Sequence, residues 1–269
     1  MVLEHIPAAD REGRRILIAC TLVATWWVAP SQRRLFSSVD IHQRNYERWM
    51  NGVVLPGSKP HLLEYVRSLS HCCSSVGAEY QMRELPRDSG GYLSALCNIH
   101  TLRLFNFRIE LIDQDGFRTC FSAFRETLTC LSLSFFITPF DAFVTLVDYF
   151  PNITTLQLHS FTQEPAHDGL ATSLSRPLRG EVHISGTRSS YLVFLDRFTK
   201  LDLEYERLII GSPYPFMETE FLERALRISA NTVKFLKLTV ELPCEQPSSY
   251  PRSSSNSYSY QTLSYLSRS

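Results

Sequence analysis

One phrase, an apolar residue followed by x-x-Leu-x-Leu, constrains this chain more than any other feature. It stands at Ile99-Leu102-Leu104, Leu128-Leu131-Leu133, Ile153-Leu156-Leu158, Phe198-Leu201-Leu203 and Val233-Leu236-Leu238. The last leucines of the first three are 29 and then 25 residues apart. The next gap is 45, divided by the weaker match Val182-His183-Ile184 into 26 and 19, and the final gap is 35. Self-similarity near one period marks a repeat architecture. In a short strand alternate side chains face opposite ways, so Leu102 and Leu104 turn inward while Thr101, Arg103 and Phe105 turn outward. A single such strand cannot bury its leucines, but parallel copies side by side share one core.

Helix-period segments lie between these strands. Phe117, Phe121, Phe124 and Leu128 follow 4, 3 and 4 spacing. Phe140, Phe143, Val147 and Phe150 do likewise, with Asp141 near the start and Pro151 as a stop. Phe221, Leu222, Ala225 and Ile228 make a third. The pattern is that of leucine-rich repeats, in which the third position after the last leucine is usually Asn or Cys. Here it is Phe107, Phe136 and Phe161, so a phenylalanine stack is expected where an amide ladder would stand. The fold class this predicts is α/β: an irregular leucine-rich-repeat-like solenoid over residues 46–245.

The ends differ from the centre. From Gln246 to Ser269 there are ten Ser, four Tyr and neither Asp nor Glu, a composition that predicts a disordered tail over 246–269. The last repeat runs straight into it, with no polar capping repeat between. Near the start, Ile16 to Ala29 carry no charge. That run of 14 falls short of the roughly 18 apolar residues a spanning helix needs. A secretion signal fits poorly, because Glu4, Asp10 and Glu12 interrupt the leader and Trp26-Trp27 make a bad cleavage site. The run is read as a packed helix.

Chemistry is sparse. Lys plus Arg and Asp plus Glu are both 27, which gives no electrostatic reason to expect nucleic acid or an anionic membrane as partner. Seven cysteines, with Cys72 and Cys73 adjacent, suit reduced core thiols in a cytoplasmic or nuclear protein better than a disulfide framework. Cys72, Cys73, Cys97 and His100 are read as structural rather than as a zinc site. Asp88-Ser89-Gly90-Gly91 resembles a serine-protease nucleophile turn, and His71-Cys72 its histidine motif, but only 18 residues separate His71 from Ser89 and no barrel pattern accompanies them. A glycine-rich turn explains the stretch. No enzyme, metal or cofactor is expected. The outward strand positions are the functional candidates: Arg103, Ser132, Gln157, Asp202 and Lys237, flanked by Phe105, Thr155, His159, Glu204 and Phe235. Mixed charges, amides and aromatics suit a protein surface.

Residues 3–39, LEHIPAADREGRRILIACTLVATWWVAPSQRRLFSSV, resemble the later two-thirds of an F-box, as found in F-box and leucine-rich-repeat-like proteins of mushroom-forming fungi. The likeness rests on Ala19-Cys20-Thr21-Leu22-Val23, Trp27, Pro30-Ser31, Arg33-Arg34 and Leu35-Phe36, and on phrases such as FPNITTLQL downstream. Only Val2-Leu3-Glu4-His5-Ile6 stands at the end of the family's leading helix. The resemblance implies a degenerate F-box-like helical unit over residues 1–45. Leu22, Val23, Trp27, Pro30, Leu35 and Phe36 would face, or support the face toward, the Skp-type adaptor of a cullin–RING ubiquitin ligase. The repeats would capture a protein substrate. Two rivals remain: a repeat scaffold without adaptor binding, and a secreted serine hydrolase using the Asp88–Gly91 turn.

Overall fold

In the computed structural model the described residues are 5–8, 10–42, 45, 48–54, 60–72, 93, 96–106, 118, 121–134, 137–138, 140–159, 162–163, 174–185, 201, 203–212, 233–242 and 259–265. Asp10 opens helix α1 (Arg11–Val23) as an extended N-cap whose carboxylate accepts the Gly13 N–H. Glu12 adds a favourable charge in the first turn. A Cβ on Gly13 would lie 1.7 Å from the Pro7 carbonyl oxygen, so this close approach tolerates glycine alone. Extended Ala24 breaks the chain, and α2 (Thr25–Leu35) follows with Pro30 in its interior. The uncharged run is therefore two short helices rather than one. Leu17 and Cys20 are the buried centre of the hairpin, with Ile6, Ala8, Trp27 and Leu35 packed against them.

The rest is an α/β fold built on an eight-stranded parallel sheet. Its strands are β1 (Ser38–His42), β2 (Ser68–Cys72), β3 (Thr101–Phe105), β4 (Cys130–Ser134), β6 (Thr155–His159), β8 (Leu178–Ser185), β9 (Leu203–Ser212) and β10 (Phe235–Leu242). Strands β5 (Ile137–Thr138) and β7 (Thr162–Gln163) form a separate parallel pair. The chain divides into two compact units, Met1–Leu131 with Tyr149–Asn152, and Ser132–Asp148 with Ile153–Ser269.

In the first unit Val39, Leu69 and Leu102 align as one inward row, and Ile41, His71 and Leu104 as the next. Leu69 is fully buried, and Ile41, Leu102 and Leu104 are nearly so. Each strand is entered the same way. The Ser37 carbonyl accepts the N–H groups of Arg67 and Ser68, that of Arg67 accepts His100 and Thr101, and that of His100 accepts Thr129 and Cys130. Side chains repeat as well. Asn98 Nδ2 donates to the Glu64 carbonyl at 3.1 Å, Thr127 Oγ1 to that of Ile99 at 2.8 Å, and Asn152 Nδ2 to that of Glu126 at 2.7 Å. All three donors sit one residue before the first apolar residue of a repeat, and they satisfy turn carbonyls that would otherwise lack a partner. A polar ladder thus exists, at strand entry; the phenylalanines expected at strand exit, Phe107, Phe136 and Phe161, lie outside the described residues. Of the helix expected through Phe117, Phe121, Phe124 and Leu128, Arg118 and Phe121 are α-helical, and Ser122–Phe124 continue as a 3₁₀ turn. Its rings still fill the interior: Phe124 stacks on Phe150 at 6.1 Å, and Phe121 meets both edge-on.

In the second unit the expected helix is present as α3 (Phe140–Tyr149), burying Phe140, Phe143, Val144, Leu146 and Val147. Leu156, Val182, Leu208 and Leu236 share one row, and Leu158, Ile184, Ile210 and Leu238 the next. Leu201 and Leu203 are not in these rows, because Leu203 pairs with Leu178. A bulge then moves the register by one more residue: Gly180 pairs with Tyr205 but Glu181 with Arg207, leaving Glu206 extra, so Leu208 rather than Arg207 faces Val182. Buried positions in β9 accordingly run Tyr205, Leu208 and Ile210 instead of strictly alternating. Gly180 has φ +100°, and a Cβ there would lie 2.2 Å from the Thr154 carbonyl oxygen, so the bulge requires glycine. The tail departs from its expected disorder over Ser259–Tyr265, which forms β11 and pairs antiparallel with β10 from Leu236–Tyr265 to Leu242–Ser259. Backbone pairing on a strand edge needs little apolar side chain, which is why composition alone misjudged this segment.

Candidate protein-interaction surfaces

The outward positions are set by the same registers. In the first unit Asp40, Ser70 and Arg103 share a row, with Asp40 and Arg103 exposed. Arg103 therefore stands where the repeat pattern puts it, and Phe105 is half-buried two residues on. Ser132 is a correction. It is 3% exposed between fully buried Leu131 and Leu133, and Ser134 is buried as well, so β4 is covered on both faces. A small hydroxyl fits an enclosed strand, and period-2 reasoning alone cannot see that a second layer is present.

The second unit carries the richer face. Thr155, Glu181, Arg207 and Phe235 form one row, and Gln157, His183, Ile209 and Lys237 another. Gln157, His159 and Lys237 are half-exposed there, as expected from the pattern. Asp202 lies outside the described residues, and the β9 position aligned with Gln157 and Lys237 is Ile209. Glu204 precedes the bulge and is held by Arg179 at 2.8 Å instead of joining the row. The bulge also hid Arg207 from sequence reasoning, whereas His183 was visible in the weak Val182-His183-Ile184 match.

Polar side chains on this face engage one another. Glu181 Oε2 accepts from Arg207 Nε at 2.9 Å, and Oε1 is bonded to His183 Nε2. The Arg207 guanidinium lies 4.8 Å from the Phe235 ring centroid, a cation–π contact. His159 Nδ1 is bonded to Ser185 Oγ. Lys234 donates to Glu206 at 2.8 Å, and its hydrogen bond and charge hold the Glu206 carboxyl below the usual carboxylate range.

The other conspicuous surface is the helical hairpin. Leu22 is 84% exposed, Val23 71%, Trp26 67%, Ile18 54% and Ile16 44%. Buried Gly13, Leu17 and Cys20 define the inner side of α1 at 4 and 3 spacing, which turns Ile18 and Leu22 away from it. The six residues that the resemblance implied thus separate. Leu22 and Val23 are on the outside, while Trp27 and Leu35 pack on Leu17 and Cys20; Pro30 and Phe36 are half-buried. Trp26, which meets Trp27 edge-on at 5.0 Å, along with Ile16 and Ile18, was not singled out from sequence. For Ile18 the available signal was the inner stripe of Gly13, Leu17 and Cys20, which turns it outward. Beside the hairpin is a cleft of about 430 Å³ lined by Arg14, Ile18, Thr21, Leu35, Phe36 and Trp49 among others.

Groups weighed for chemistry are dispersed. His71 occupies an inward position between Ile41 and Leu104, where desolvation pushes its pKa down to about 4. Asp88 to Gly91 lie outside the described residues. Cys97 and His100 are exposed, and among the described residues no three His, Cys, Asp or Glu converge as metal ligands. No helix among the described residues is long and apolar enough to cross a membrane. No family model, curated protein or solved structure matches this chain.

Proposed function

We propose that this chain is an irregular leucine-rich-repeat-like solenoid headed by an F-box-like hairpin, and that it selects protein substrates for a cullin–RING ubiquitin ligase. The observation that carries the reading is the concentration of exposed Ile18, Leu22, Val23 and Trp26 on one two-helix element. Covering a leucine or valine of this kind is worth about 1.5–3 kcal/mol, so leaving several in water is costly unless a partner covers them. The F-box resemblance supplies a helical adaptor of the Skp type as that partner. Repeated strand entries at Ser37, Arg67 and His100, together with the Asn98, Thr127 and Asn152 side-chain contacts, support the repeat reading. The polar, mixed-charge rows of the second unit support substrate capture by the sheet's outward face. Exposed apolar helices favour this over a scaffold that has lost its adaptor. Affinity purification of the full chain with mass spectrometry tests it: the adaptor and cullin should be recovered with wild type and lost with Leu22→Asp, and recovery of neither from a folded wild-type chain would refute it.

A further inference from the structure

Arg207 differs from an ordinary surface arginine in being fixed from two sides. Its Nε is held by Glu181 Oε2 at 2.9 Å, and its plane lies over Phe235, which is in register with it on the neighbouring strand. The side chain nonetheless stays 55% exposed. A long cationic side chain normally loses much rotamer freedom on binding, and here that freedom is already restricted by the fold. The carboxylate nearest Arg207 is occupied, since both Glu181 oxygens are bonded, one to Arg207 and one to His183. Glu204 and Glu206 are likewise held, by Arg179 and Lys234. Lys237 adds a second cation one row away, beside Ile209. Around Arg207, therefore, Glu181, Glu204 and Glu206 each face a cation, and Lys237 adds positive charge beyond these three pairs.

Resting on the substrate-capture reading above, we infer that the β8–β10 face recognises an acidic peptide segment, with Arg207 as the anchor for an Asp or Glu carboxylate and Lys237 as a supporting charge. The guanidinium presents a planar fork matched to a carboxylate, which an ammonium cannot copy. Glu181 acts as a positioning residue.

The test is fluorescence anisotropy on the full chain, with a short fluorescein-labelled peptide of alternating Glu and Gly and its Gln counterpart. The Glu peptide should bind and weaken as salt rises, and the Gln peptide should not bind. Arg207→Lys, which keeps the charge and the fold, should weaken binding about tenfold. Equal binding of the two peptides, or an unchanged affinity in Arg207→Lys, would overturn the inference. A chain that recovers adaptor and substrate yet ignores the Glu peptide removes this inference alone. One that binds the Glu peptide but recovers no adaptor removes the ligase reading and leaves the acidic-peptide site standing.

Discussion

The helical hairpin and the β6–β10 sheet use apolar residues in opposite ways. In the sheet, Leu156, Val182, Leu208 and Ile210 are all at 2% exposure or less, and polar groups face out. In the hairpin, Leu17 and Cys20 are buried, while Leu22 and Trp26 on the same two helices stand in solvent. As sequence, the hairpin's uncharged run Ile16 to Ala29 is the more continuously apolar of the two, yet it is the one that leaves apolar residues in solvent. The difference teaches that an apolar residue contributes to stability only where a neighbouring element covers it; elsewhere it is a surface available to a partner.

Four changes would break or sharpen that contrast. The largest effect belongs to Leu156→Asp, which places a charge in a fully buried row beside Val182; it should cost at least about 4 kcal/mol and abolish the cooperative melt followed by circular dichroism. Gly180→Ala comes next. Its positive φ and the nearby Thr154 oxygen should make it about 3 kcal/mol less stable in urea titration, a penalty that ordinary Gly→Ala changes do not carry.

His71 is the third. Its folded pKa of about 4 lies below the ordinary histidine value of 6.5, so the unfolded chain takes up the proton first. Stability should be intact above pH 6.5 and fall progressively toward pH 4, by at most about 3 kcal/mol. His71→Leu should flatten that slope in pH-dependent denaturation; an unchanged slope would show that His71 is not the titrating group. The smallest effect on stability is expected from Leu22→Asp, within about 0.5 kcal/mol because the site is 84% exposed, although adaptor capture should be lost. A large destabilisation there would mean the hairpin needs Leu22 for folding and would erase the contrast.

Much of the sheet was legible because its cause is local. Leu102, Leu104, Leu156 and Leu158 alternate with polar residues, and period 2 places them inward without further information. The α3 helix was equally readable from Phe140, Phe143 and Val147. Features that depend on a neighbour were not readable. In β9, Leu203 pairs with Leu178, before the central rows, and the bulge beside Gly180 shifts the register by one, so Leu208 faces Val182 and the outward positions fall to Arg207 and Ile209. Ser132 was misjudged because alternation says nothing about a second covering layer. Asn98 and Asn152, by contrast, left a trace in the parallel phrases CNIHTLRL and PNITTLQL, where an Asn precedes Ile in both.

Hydrogen–deuterium exchange on the full chain, with and without a purified Skp-type adaptor, tests the division between buried rows and the open hairpin most directly. Slow exchange throughout β6 and β8 in both states, with new protection confined to residues 16–27 when the adaptor is added, is the predicted result. Protection that leaves 16–27 unchanged, or β-strand amides exchanging as fast as the hairpin's, would contradict it.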